Sequence, residues 1–173
     1  MAVGRVSPRL AWPVFGVAVL AFLLGAASSA LAACPLELAV YGDRDGAAEI
    51  DFRPKIDSAT ATNSFRMFVG DVVLDGMVEW SDGAARPHGV LTQDCPQGDA
   101  TGDELAACTL WNGVIYTSDE EGNIGLLPAQ GAVAPATLVF AGLGPSLHAS
   151  ALHEAGGMPK LPWDVFALKG CQE

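Results

Sequence analysis

The sequence predicts a mostly β protein: a single-domain β-sandwich or barrel with one or two short helices, stabilised by disulfides. Three observations carry that expectation. Many short segments alternate apolar and polar residues, the period of a half-buried strand. Gly, Pro, Asn and Asp turns separate them at close spacing. Four cysteines stand in a chain of 173 residues that begins with an export-type segment.

Residues 1–32 read as a cleaved signal peptide. Arg5 and Arg9 give a positive start, no charge follows until Glu37, and residues 14–27 are apolar. Ala30 and Ala32 supply the small-x-small pattern of a cleavage site. An uncleaved anchor is the rival, since the uncharged run is long enough to span a bilayer. Leu31-Ala32-Ala33-Cys34 also resembles a bacterial lipobox, which would lipidate Cys34 and tether the protein to the envelope. That alternative leaves an odd cysteine in an oxidising compartment. Soluble export to the periplasm or beyond is the expected localisation. Residues 33–173 then form one domain, about 140 residues, long enough to bury a core of its own.

Charge limits the partners. With Arg5 and Arg9 set aside, seven basic residues face twenty acidic ones, a net charge near −13. Such a surface repels phosphate backbones and anionic headgroups, which excludes nucleic acid. Membrane contact is expected only through the signal segment or, alternatively, a lipidated Cys34. The expected partner is a small molecule or an envelope protein.

Along the domain, residues 36–41 alternate and lead to a turn at Gly42-Asp43-Arg44-Asp45-Gly46. Ala48, Ile50 and Phe52 then alternate with Glu49, Asp51 and Arg53, completing a hairpin. Asp43-x-Asp45-Gly46 lacks the first and last ligands of a calcium loop, so a turn explains it. Residues 58–63 read as a polar connection. Residues 64–69 and 72–80 are the next strands, joined at Gly70-Asp71, with Gly76 as a candidate bulge. Ser81-Asp82-Gly83 is a turn, and residues 90–92 are a short strand.

The stretch 78–117 draws the most interest. Two aromatic segments flank a loop that a Cys95–Cys108 disulfide closes, with Cys34–Cys171 as the second pair tying the chain ends. Asp94, Asp99, Asp103 and Glu104 crowd four carboxylates into this loop. Thr101-Gly102-Asp103-Glu104 has the form of a capping box, which assigns part of the cluster to holding a short helix up to Cys108. Asn112-Gly113 is a hairpin signal, with a bulged single strand as the other reading. Residues 119–123 turn, 124–127 answer as a strand, and 137–143 read as a strand covered on both faces. Ser146 is expected to cap a helix that Gly156 ends. Residues 162–169 form the last strand.

No enzyme pattern emerges, and the balance leans against one. Gly144-Pro145-Ser146-Leu147-His148 lacks the nucleophile elbow, and paired cysteines are not nucleophiles. A glycosidase would need two facing carboxylates, which nothing in the pattern selects. His148 and His153 lie five apart, about 140° around a continuous helix, so they are not expected to share a ligand site. His148 falls in the apolar arc of that helix and His153 on its polar side. Candidate ligand contacts are Arg86, His88 and Trp111, and candidate calcium ligands are Asp94, Asp99 and Asp103. The function expected is an exported bacterial cell-envelope protein with a binding or structural role and no cofactor. The alternative is an envelope hydrolase or calcium-dependent binder using the acidic loop at 94–104 with Arg86 and His88.

Overall fold

The computed structural model describes residues 34–54, 60–80, 85–96 and 98–172, with Met1 and Gly4. The targeting segment expected over 1–32 and the Ser81-Asp82-Gly83 turn lie outside the described residues. The domain is mostly β. Its strands are β1 Ala39–Asp43, β2 Ala48–Arg53, β3 Ala61–Val69, β4 Val72–Glu79 and β5 His88–Thr92, followed by β6 Thr109–Gly113, β7 Ile115–Ser118, β8 Ile124–Leu126, β9 Thr137–Phe140 and β10 Val165–Cys171. Three short helices are α1 Gly102–Cys108, α2 Leu143–His148 and α3 Ala151–Glu154.

All ten strands belong to one antiparallel sheet, in the order β6-β5-β4-β3-β2-β1-β10-β9-β7-β8. Val114 alone separates β6 from β7, yet they stand near opposite ends of that order. β6 bonds to β5, whereas β7 bonds to β9 on one side and β8 on the other. One continuous chain segment thus joins both ends of the sheet, so the sheet curls back on itself like a barrel. Helix α2 packs beside β6, with Leu143 and Leu147 fully buried. The Trp111 indole N–H donates to the Ala141 carbonyl at 3.0 Å in the same region.

Inward-facing positions follow the predicted alternation, buried at every second residue of β1, β2 and β3. Their aromatic rings meet in a chain. Tyr41 touches Phe52, Phe52 touches Phe65, and Phe65 reaches Phe140, with centroids 5.3–5.8 Å apart. Phe140 also meets Trp111 and Phe166 at 5.2 and 5.4 Å. These rings come from β1, β2, β3, β6, β9 and β10, so they fill the space enclosed by the curled sheet. Each aromatic pair adds about 1 kcal/mol beyond the area it buries. Tyr41 donates its hydroxyl to the Pro135 carbonyl at 2.9 Å, and burial pushes its phenol well above the ordinary range.

The two disulfides form as the sequence predicts. Cys34–Cys171, with Cα atoms 5.7 Å apart, ties the pairing of β1 with β10. Cys95–Cys108, at 5.3 Å, closes the acidic loop. The Cys34 sulfur is paired with Cys171 in this structure. Two disulfides fit an oxidising, extracytoplasmic setting. Among the described residues no helix is long and apolar enough to cross a membrane.

Several local expectations are corrected. Residues 36–38 form a 3-10 turn before β1, because Leu36 is drawn wholly into the core. β1 continues through Gly42 to Asp43, whose buried carboxylate accepts the Ala48 amide and orders the turn from inside. β3 begins at Ala61, earlier than the polar character of 58–63 suggested, because Asn63 points inward and donates to the Pro128 carbonyl. Gly76 pairs in register with Phe65 rather than forming a bulge. A Cβ there would overlap the Phe65 ring, so the glycine is needed for close approach. Asn112-Gly113 makes no hairpin, since β6 and β7 have different partners. Residues 137–143 leave the strand after Phe140, and Gly142 in the left-handed region starts α2. Ser146 lies inside α2, and Ser150 caps α3 through the His153 amide. One expected helix is therefore two.

Candidate functional site

Arg86, His88 and Trp111 do not form one surface. Trp111 is 2% exposed and faces the core, where β6 turns it against Phe140. Its neighbour Asn112 faces out and meets His88 Nδ1 at 3.2 Å, as the period of two requires. Arg86 is exposed like His88 but has a different partner. It donates to the Tyr116 hydroxyl at 2.6 Å, with its guanidinium 5.8 Å from that ring.

The acidic loop is organised for structure. Thr101 and Glu104 complete the capping box in both directions, the Thr101 amide donating to Glu104 at 2.8 Å and the Glu104 amide to the Thr101 hydroxyl at 3.3 Å. These Thr101 hydrogen bonds hold the Glu104 carboxyl below its usual range. Asp94, Asp99 and Asp103 are all exposed, and among the described residues no three His, Cys, Asp or Glu side chains gather as metal ligands. The calcium set Asp94, Asp99 and Asp103 is thus not assembled in this structure.

A second acidic turn has a different setting. Asp119 accepts the Asn123 amide and side chain, both at 2.8 Å, which closes the turn between β7 and β8 and lowers the Asp119 carboxyl. Glu120 and Glu121 are exposed, and among the described residues their carboxylates have no partner. A cleft of about 520 Å³ opens beside the turn, floored by Val133, Ala134, Pro135, Ala136 and Leu168. β8 follows directly. It is one of the two terminal strands of the sheet, bonded to β7 and to no other strand among the described residues. Ile124 is 69% exposed and Leu126 37%. With Tyr116 and Arg86 they line a shallow depression at the end of the exterior face.

Sequence reasoning missed this region because Ile124-Gly125-Leu126 looks like any strand. What distinguishes it is its place at the sheet's end, which only long-range pairing decides. The one local signal is a bare Asp119-Glu120-Glu121 run set directly before an apolar triplet.

The histidines also depart from expectation. His148 is exposed rather than core. The chain breaks helix at Ala149-Ser150, and the His148 and His153 rings come together with centroids 4.9 Å apart.

No family model, curated protein or solved structure matches the chain.

Proposed function

We propose that this chain is an exported bacterial cell-envelope protein that binds a protein partner through its exterior, at the open edge of β8. The observation that carries the reading is a strand edge that no other strand joins among the described residues, set beside two exposed apolar side chains and two glutamates with no partner among those residues. A sheet edge offers a row of backbone donors and acceptors that an extended peptide can join, with alternate side chains giving selectivity. The interior supports an exterior site, because rings from six strands fill it.

Charge chooses the occupant. A second copy would bring two strongly acidic surfaces edge to edge, which mutual repulsion opposes. A basic extended segment with alternating apolar residues instead meets Glu120 and Glu121 with opposite charge. Its apolar side chains would cover Ile124 and Leu126.

Two measurements test the reading. Fractionation and intact mass of the expressed full chain should place a cleaved, doubly disulfide-bonded product outside the cytoplasm; an intact cytoplasmic chain contradicts export. Separately, the exported protein is titrated with a capped octapeptide of alternating valine and lysine. Saturable binding that slows hydrogen exchange at residues 124–126 is expected. Absence of binding, or equal binding of the same peptide N-methylated on alternate residues, contradicts strand addition.

A further inference from the structure

We propose that His148 and His153 form a two-histidine site for a divalent transition-metal ion such as zinc or copper. The sequence argues against it only if both residues ride one helix. They do not. The break at Ala149-Ser150 separates α2 from α3, and Ser150 starts the second helix by accepting the His153 amide at 3.3 Å. The rings then lie 4.9 Å apart between centroids, tilted by 39°. Two imidazoles on one tetrahedral metal, each bound at about 2.0 Å through nitrogen, have ring centres roughly 5 Å apart.

The hydrogen bonding of His153 adds to the spacing. Its Nδ1 lies 2.8 Å from the Met158 carbonyl, which can only accept, so the neutral ring carries its proton there. That leaves Nε2 with a free lone pair and fixes the ring's orientation. A ligand histidine characteristically donates its other ring N–H to a carbonyl or carboxylate in this way. Met158 is fully buried, so the anchor for that bond is part of the core. His148 has no hydrogen bond of its own among the described residues, and its exposure leaves it free to turn toward a metal. Imidazole nitrogens favour zinc, copper and nickel over calcium or magnesium. With two protein ligands, water or a partner's side chain completes the coordination, which makes the site an exchangeable one. This assignment does not depend on the β8 edge or on what binds there.

The test uses the exported, disulfide-bonded protein without an affinity tag. Titration calorimetry with zinc sulfate, repeated with copper sulfate, is expected to give one ion per chain. His148→Ala and His153→Ala should each weaken binding at least ten-fold, while His88→Ala leaves it unchanged. His148→Ala is the decisive variant, since losing a side chain without hydrogen bonds should not disturb folding, and a thermal melt verifies that. No saturable binding of either metal by the wild-type protein overturns the site. So does binding that survives His148→Ala.

Discussion

The acidic turns at residues 94–104 and 119–123 are put to different ends. In the first, Cys95–Cys108 closes the loop and Glu104 is consumed by the capping box, while Asp94, Asp99 and Asp103 are exposed. In the second, Asp119 alone closes the turn, and Glu120 and Glu121 are left free beside the end of the sheet. Crowding of carboxylates in sequence is therefore a poor guide to a binding surface. What matters is whether backbone or side-chain donors have already claimed them, and whether an unsatisfied surface lies alongside.

The difference can be probed first through the crosslinks. Replacing Cys34 and Cys171 with serine should cost on the order of 5 kcal/mol, because the pair closes nearly the whole domain. Replacing Cys95 and Cys108 should cost about 3 kcal/mol, since they close a 13-residue separation. Denaturant unfolding of both double variants measures this. Equal losses would break the view that the first acidic loop is a local unit on a domain held at its terminal seam.

A smaller effect sharpens the capping assignment. Thr101→Ala should cost about 1 kcal/mol, the usual loss for an N-cap. It should also move the Glu104 carboxyl part of the way back toward its ordinary value: the backbone amide of residue 101, the larger cause of the lowering, stays in the variant, and only the hydroxyl bond is lost. An NMR pH titration of the variant reads this directly, and an unchanged Glu104 midpoint would remove the capping role.

Much of the fold is legible in the sequence where a feature is local. The first two hairpins, apart from the bounds corrected at 36–38 and 61–63, the capping box and both disulfides follow from alternation, turn chemistry and cysteine placement. What fails is whatever depends on distant contacts. Asn112-Gly113 has hairpin chemistry, but β5 and β9 compete for the flanking strands and pull them apart. Trp111 reads in the sequence as a candidate ligand contact, but it packs inward against Phe140. His148 and His153 meet because Ser150 interrupts a helix that periodicity alone would continue. The open edge at β8 is invisible until the whole sheet is ordered.

Acid sharpens the comparison from the other side. Both Glu104 and Asp119 have lowered carboxyls in the folded protein, each through hydrogen bonds to its charged form. Their contributions are complete above the unfolded values near pH 4 and fade as the pH falls through the lower, folded ones. Both turns should therefore loosen below about pH 4, seen as lost exchange protection at the Thr101 and Asn123 amides, which the two carboxylates hold. Loosening on the alkaline side would contradict the assigned bonds. Calcium should do nothing: millimolar calcium is expected to leave the melting temperature unchanged. A rise that Asp99→Asn abolishes would restore the first loop as a metal site.

The central claim is that the second turn, not the first, marks the binding surface. Charge reversal in each turn, titrated in parallel with the valine–lysine octapeptide, tests it most directly. Glu120→Lys with Glu121→Lys is expected to weaken binding at least ten-fold. Asp99→Lys with Asp103→Lys, which changes net charge equally, should leave the affinity within about two-fold if these residues stand outside the docking surface, since salt screens exposed charges over a Debye length of about 8 Å at physiological strength. Equal losses from the two variants, or a larger loss from the first loop, would contradict the account.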